Sequence, residues 1–254
     1  MIKLSVESEY LHRQVPCIVY LPKGYGDGQD YPVWYGLHSY STGETMWIDN
    51  GIGEVADKLI ESGDIKPLVM VFPYTRYPTL KEIEKDIEEK GDAGEDIMER
   101  FITKELIPYI DSGYDTITSA DGRYIGGFSM GGAIALRVAF HHPELFSKVG
   151  GYSAAVTVSD YSGTQFEKWL FPSENTDEIA DVARFAKKKG LDKLSVYLDV
   201  GNSNDPFSAG LQSLSDALQQ RNIKCEMQIY DGGHTLRKEA LEEYLKFYAA
   251  KGTD

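Results

Sequence analysis

Short apolar runs alternate with amphipathic helical patterns along almost the whole chain, and this alternation constrains the fold more than any other feature. Val15–Leu21 (VPCIVYL) and Tyr31–His38 (YPVWYGLH) read as strands joined by the turn-rich PKGYGDGQD. Gly51–Ser62 reads as a helix with Ile52, Val55, Ala56, Leu59 and Ile60 on one face. Lys66–Pro73 is continuously apolar, as expected of a strand covered on both faces in a parallel sheet. Further strands are expected over Arg123–Phe128, Val149–Val156, Leu194–Val200 and Cys225–Tyr230. Helices are expected over Glu95–Ile110, Gly131–Phe140, Asp177–Lys189, Pro206–Arg221 and Leu236–Ala250. Parallel neighbours need crossover connections, which helices supply, so the fold class is α/β: a mostly parallel central sheet with helices on both faces. No linker-like stretch divides the chain, and residues 1–254 are expected to form one domain.

Within this frame, Gly127-Phe128-Ser129-Met130-Gly131 falls where the strand RYIGGF runs directly into a helix. That is the context G-x-S-x-G requires. A serine at a sharp strand-to-helix turn projects its hydroxyl above the sheet. Glycines on either side let the chain double back and let the helix approach the strand. The Met130 amide then lies at the positive end of the helix, where an oxyanion is stabilised. Ser129 is the candidate nucleophile.

A serine hydroxyl needs a base to take its proton. In hydrolases of this kind the acid and then the base follow the serine in chain order. His234, in YDGGHTL, lies between a strand and the final helix, with Gly232 and Gly233 freeing its loop to bring the ring over the serine. His141 and His142 end the helix after Ser129, where the helix dipole favours them, and His12 and His38 precede the serine. For the acid, the strand LSVYLDV runs into GNSNDPF. Asp205, in the loop beyond the strand, is preferred. Asp199, within the strand, reads as structural, and Asp160 and Asp177 remain as alternatives.

Together, GGFSMGGAIALRVAFHHPELF, LHSYSTGETMW, KPLVMVFP, DVGNSNDPF and DGGHTL resemble the putative-esterase family of α/β-hydrolases over residues 15–250. That family includes esterase D and S-formylglutathione hydrolase, enterochelin esterases, mycolyltransferases, and feruloyl and acetylxylan esterases. The feruloyl-esterase domains of bacterial xylanases are the nearest in pattern. The resemblance implies a serine carboxylesterase working through an acyl-enzyme on a feruloyl or acetyl ester of a carbohydrate or similar small ester. It implies no cofactor and no metal. The family's His-Gly-x loop falls on His38-Ser39-Tyr40, which makes the Tyr40 amide the second oxyanion donor beside Met130, with Ser39 in the place of glycine. The family's acid also falls on Asp205. Where feruloyl esterases often carry a Trp after the histidine, this chain has Thr235-Leu236-Arg237. An acyltransferase, a siderophore esterase or a thioesterase would use the same groups and stand as alternatives. A serine peptidase and a non-catalytic hydrolase-fold binding module are less favoured.

The aromatic-rich stretch Thr157–Thr176, with Tyr161, Phe166, Trp169 and Phe171, follows a strand and is a candidate wall for a substrate pocket. Trp47, Tyr161 and Trp169 are the candidate substrate-binding residues. Tyr74 and Tyr77 could also stack on a sugar or phenolic ring, and ordinary packing is the competing role for all five. The charged stretch Tyr74–Gly94 reads as a solvated loop. Lys plus Arg (26) against Asp plus Glu (40) gives a net charge of −14, which repels phosphate backbones and disfavours nucleic-acid partners. No apolar run approaches the roughly 20 residues of a membrane span. Cys17 and Cys225 sit in expected strands and read as buried free thiols, with no Cys/His spacing suited to a metal. The N-terminal MIKLSVESEYLHRQVP lacks the features of a secretory leader, so a cytoplasmic location is expected; a secreted mature form would read the same. The sequence carries no signal for a particular oligomeric state.

Overall fold

A computed structural model of the chain describes residues 1–75, 97–156, 190–220 and 222–251. The expected helix Asp177–Lys189, the aromatic stretch Thr157–Thr176 and all but the first two residues of the charged stretch Tyr74–Gly94 lie outside the described residues.

The strands are β1 (Ile2–Ser8), β2 (Arg13–Tyr20), β3 (Val33–Leu37), β4 (Val69–Pro73), β5 (Arg123–Phe128), β6 (Lys148–Tyr152), β7 (Ser195–Gly201) and β8 (Lys224–Tyr230). They form one sheet in the order β1-β2-β4-β3-β5-β6-β7-β8. Pairing is antiparallel from β1 to β2 and from β2 to β4, and parallel at every other junction. The strand β1 has no counterpart in the sequence reading. It is an edge strand whose inward-facing residues alternate with exposed ones, so no continuous apolar run announces it. The helices are α1 (Met46–Asp49), α2 (Ile52–Ser62), α3 (Ile97–Arg100), α4 (Ile107–Gly113), α5 (Met130–His141), α6 (Ser208–Gln220) and α7 (Leu241–Ala249). Between α3 and α4 the chain is π-helical over Phe101–Leu106. Pro108 follows at once, and a proline has no N–H to continue an α-helical ladder. Among the described residues, no helix is long and apolar enough to cross a membrane.

Side chains alternate between two apolar layers, one on each face of the sheet. Val33, Tyr35 and Leu37 of β3 face one layer, with Ile125 of β5 and Val196, Leu198 and Val200 of β7. Trp34, Tyr124, Phe128, Tyr152 and Tyr197 face the other, an aromatic layer closed by Tyr244 and Tyr248 of α7. Tyr248 donates to the Ile125 carbonyl at 3.1 Å, which brings its phenol down onto the sheet. A Cβ on Gly126 would stand 2.1 Å from that hydroxyl, so only glycine leaves room for it.

The strand expected over Val149–Val156 ends early, at Tyr152. Ser153 turns out of the sheet with φ 44, and its N–H crosses to the Asp199 carbonyl at 2.8 Å.

Candidate active site

Strand register decides where the chemistry-bearing residues emerge. Leu37 pairs with Gly127, Phe128 with Tyr152, Tyr152 with Asp199, and Gly201 with Tyr230. His38, Ser129, Ser153, the loop 202–205 and the loop 231–234 therefore all leave the sheet at its carboxyl edge, where open α/β sheets bind ligands.

Ser129 connects β5 to α5 with φ 57 and ψ −118, a conformation that L residues other than glycine avoid. Three backbone bonds hold it there. Its N–H donates to the Tyr152 carbonyl at 2.9 Å, and its carbonyl accepts from Ala133 and Ala155, each at 3.1 Å. Neither Gly127 nor Gly131 adopts a positive φ; the strained residue is the serine itself. The glycines serve close approach instead. A Cβ on Gly127 would lie 2.4 Å from the Gly131 carbonyl carbon, and one on Gly131 would lie 2.5 Å from the His38 carbonyl oxygen. The second contact seats the loop after β3 against the first turn of α5.

The loops after β7 and β8 are bonded into one layer. Asn202 N–H donates to the Tyr230 carbonyl at 2.9 Å, Ser203 N–H to the Gly232 carbonyl at 3.0 Å, and Gly232 N–H to Asn202 Oδ1 at 3.3 Å. On this support His234 Nε2 lies 2.9 Å from Ser129 Oγ. Its Nδ1 faces Asp205 Oδ1 at 3.5 Å, an ion-pair distance rather than a formed hydrogen bond. Phe128 stacks on the imidazole at 5.0 Å and Phe207 meets it edge-on at 5.1 Å. The Asp205 side chain is fully buried. Its Oδ1 accepts from Phe207 N–H at 3.1 Å and its Oδ2 from Gly201 N–H at 3.4 Å. Burial opposes ionisation of Asp205, but the His234 ring, the Phe207 amide and the Ser153 hydroxyl outweigh it and hold the carboxyl below its ordinary range.

The structure thus brings Ser129, His234 and Asp205 together. Asp199 lies elsewhere: it is buried in β7, where it accepts from the Tyr244 hydroxyl and faces Arg237 at 3.7 Å. Burial pushes its carboxyl up to about 6 against those two partners. Asp160 and Asp177 lie outside the described residues, as do Tyr77, Tyr161 and Trp169. Trp47 must be reassigned from the substrate-binding candidates to the core. It is fully buried, donates to the Leu37 carbonyl at 3.2 Å and packs edge-on against Trp34 and Tyr152. An amphipathic ring with its N–H satisfied internally has no face left for a ligand. Tyr74 stacks on His38 at 5.3 Å.

In the loop after β3, His38 Nδ1 lies 2.7 Å from the Ser39 carbonyl, and Nε2 accepts from Thr75 N–H at 2.9 Å. Ser39 stays out of the left-handed region, so its replacement of glycine carries no backbone strain. Its hydroxyl instead bonds Thr42 Oγ1 at 2.9 Å. His141 and His142 do more than answer a helix dipole. Both bond the carboxylate of Glu99, at 2.9 and 2.7 Å, which ties α3 to the end of α5. Among the described residues no three His, Cys, Asp or Glu side chains are grouped to hold a metal ion. Both thiols are free, and burial pushes Cys17 up to about 12 and Cys225 up to about 11, so each stays protonated at neutral pH.

Two residues of this neighbourhood escape the sequence reading. Tyr230 ends β8 and bonds the loop that carries His234, and Ser153 follows β6 and bonds Tyr230. Their only signal is position, one at the end of the β6 run and the other just ahead of the glycines before His234.

A family model described as "Putative esterase" matches residues 8–241. An endo-1,4-beta-xylanase/feruloyl esterase of Xylanibacter ruminicola is 33% identical over 223 residues, which is 84% of this chain and 26% of that protein. Among solved structures, a ferulic acid esterase superposes with a TM-score of 0.81 at 22% identity, covering 97% of this chain and 96% of that one. A ferulic acid esterase of Anaeromyces mucronatus gives 0.75 at 18% identity, covering 98% of this chain and 89% of the other. At these identities the superpositions establish the fold, an α/β-hydrolase sheet flanked by helices. With the family match over most of its length, the chain belongs to the putative-esterase family of α/β-hydrolases, a family of ester hydrolases.

Proposed function

We propose that the chain hydrolyses carboxylic esters by covalent catalysis, with Ser129 as nucleophile, His234 as base and Asp205 as the acid that orients it. The observation that carries this reading is the 2.9 Å contact between His234 Nε2 and Ser129 Oγ at a strained strand-to-helix turn. His234 takes the serine proton as Oγ attacks the ester carbonyl, and Asp205 stabilises the imidazolium and keeps Nδ1 protonated. The imidazolium then gives its proton to the departing alcohol. Water, deprotonated in turn by His234, releases the acid from the acyl-enzyme.

The oxyanion falls between the amides of Met130 and Tyr40. The first opens α5 directly after the serine. For the second, the His38 ring and the Thr42 N–H both draw on the Ser39 carbonyl, which fixes that peptide unit. In a trans peptide the following N–H points the opposite way, so anchoring the carbonyl sets the direction of the Tyr40 donor. Removing one such donor typically costs ~10²–10³ in rate.

For the substrate we favour a feruloyl or acetyl ester attached to a carbohydrate. Support comes from the xylanase/feruloyl esterase relative, of which this chain spans about a quarter of the length. The test is a panel of p-nitrophenyl acetate, p-nitrophenyl butyrate, methyl ferulate, acetylated xylan and an acyl-thioester, run on wild type and Ser129→Ala. Hydrolysis of the oxygen esters by wild type alone is expected, with methyl ferulate preferred. Equal rates in the two proteins would overturn the mechanism, and indifference to the acyl group would overturn the substrate assignment.

A further inference from the structure

Tyr230 closes β8 just ahead of His234, and its hydroxyl lies 3.0 Å from the Gly233 carbonyl and 3.0 Å from the Thr235 carbonyl. Those two carbonyls flank His234 on either side. A phenol has one proton, so the two share it as a three-centre bond, and the loop is gripped at both ends of the base. The same phenol oxygen lies 3.1 Å from Ser153 Oγ. Arg237 stands over the Tyr230 ring at 4.7 Å and is itself held by Asp199 at 3.7 Å, which fixes the plane of the ring.

Ser153 is 1% exposed and sits at φ 44. Glycine would meet that backbone requirement without strain, so what the serine adds is its hydroxyl. That hydroxyl lies against the Tyr230 phenol. Its proton can go to the Tyr230 oxygen, while the Tyr230 proton serves the loop carbonyls.

We propose that Ser153 and Tyr230 are positioning residues, two hydroxyls in series that tie the end of β6 to the His234 loop so that the base keeps its place over Ser129 and beside Asp205 during proton transfer. The proposal rests on the serine-hydrolase reading above. Both hydroxyls act through His234.

The test uses the full chain with p-nitrophenyl acetate and compares wild type, Tyr230→Phe, Ser153→Gly and Ser129→Ala. Tyr230→Phe and Ser153→Gly are each expected to lower kcat by about 10²-fold, the effect of a misplacement on the order of 1 Å, with KM unchanged. The downfield imidazole N–H proton resonance of His234 should weaken in parallel. A merely structural role would lower the melting temperature and leave that resonance in place, and that result overturns the proposal. So do wild-type kcat and resonance in both variants while Ser129→Ala is inactive. Activity retained in Ser129→Ala instead marks failure of the underlying serine reading.

Discussion

His234 Nε2 lies 2.9 Å from Ser129 Oγ across a separation of 105 residues. One partner is fixed by a strained turn and the other by a loop bonded to its neighbour, so backbone bonds hold the contact from both sides. Acting as a unit, the two groups should fail as a unit. Ser129→Ala and His234→Ala are each expected to lower kcat on p-nitrophenyl acetate by about 10⁶-fold, with the double variant no worse. A fluorophosphonate should label wild type at Ser129 and leave Ser129→Ala unlabelled. Losses that multiply in the double variant would show that the two side chains do not share one step.

Asp205→Asn tests how the acid is held. Oδ1 takes the stronger backbone donor, Phe207 N–H at 3.1 Å, and Oδ2 the weaker, Gly201 N–H at 3.4 Å. An amide nitrogen placed at the Oδ1 site would face that closer N–H, so it should settle at the Oδ2 site. The carbonyl oxygen then still faces His234 Nδ1, and the tautomer survives. Only the charge is lost, so kcat should fall by well under the ~10⁴-fold that a wrong tautomer costs. A fall of that full size would mean that the amide sits the other way round.

The fold was legible because its signals are local. Arg123–Phe128 (RYIGGF) is a short strand pattern feeding a helix, and the observed strand has those same limits. Ser129, Asp205 and His234 could be ordered from the same pattern, since each follows a strand at one edge of a parallel sheet. What stayed hidden depends on tertiary contacts. Trp47 reads as a ring that could stack on a sugar until the aromatic layer over β3 and β6 claims it. Gly232 and Gly233 read as freedom for the His234 loop, yet neither has a positive φ. The glycine that lets the loop close is Gly201, on the other strand, which no local pattern reveals. The bonds from Glu99 to His141 and His142 join helices far apart in the chain and are equally invisible to periodicity.

Asp199 makes stability fall as pH rises. Its ordinary value is 3.8, and burial raises it to about 6 in the folded protein. Between those values the folded state binds more protons than the unfolded one, so the stabilising contribution is present below 3.8 and lost as pH passes 6. The full shift corresponds to on the order of 3 kcal/mol. Asp199→Asn keeps an acceptor for Tyr244 and removes the titration. Melting temperatures from pH 4 to 8 should therefore fall more steeply for wild type than for the variant. Parallel curves would show that Arg237 and Tyr244 compensate the buried charge in full.

Gly201→Ala tests whether the spacing between the two loops governs catalysis. A Cβ there would stand 2.2 Å from the Gly232 carbonyl oxygen and 2.7 Å from that of Gly233. Both obstacles are backbone, tied through Gly232 to Ser203 N–H at 3.0 Å, so no side-chain rotation relieves them. The loop carrying His234 must move outward, away from Ser129. The expected result is a fall in kcat of about 10²-fold or more, with a stability loss of about 1–3 kcal/mol from overpacking. Gly113→Ala is the control, since a Cβ at the end of α4 meets nothing within 4 Å and Gly113 has no positive φ. It should leave kcat unchanged. If Gly201→Ala also keeps wild-type kcat, the two loops shift together, and their fixed separation is not what holds the imidazole over the serine.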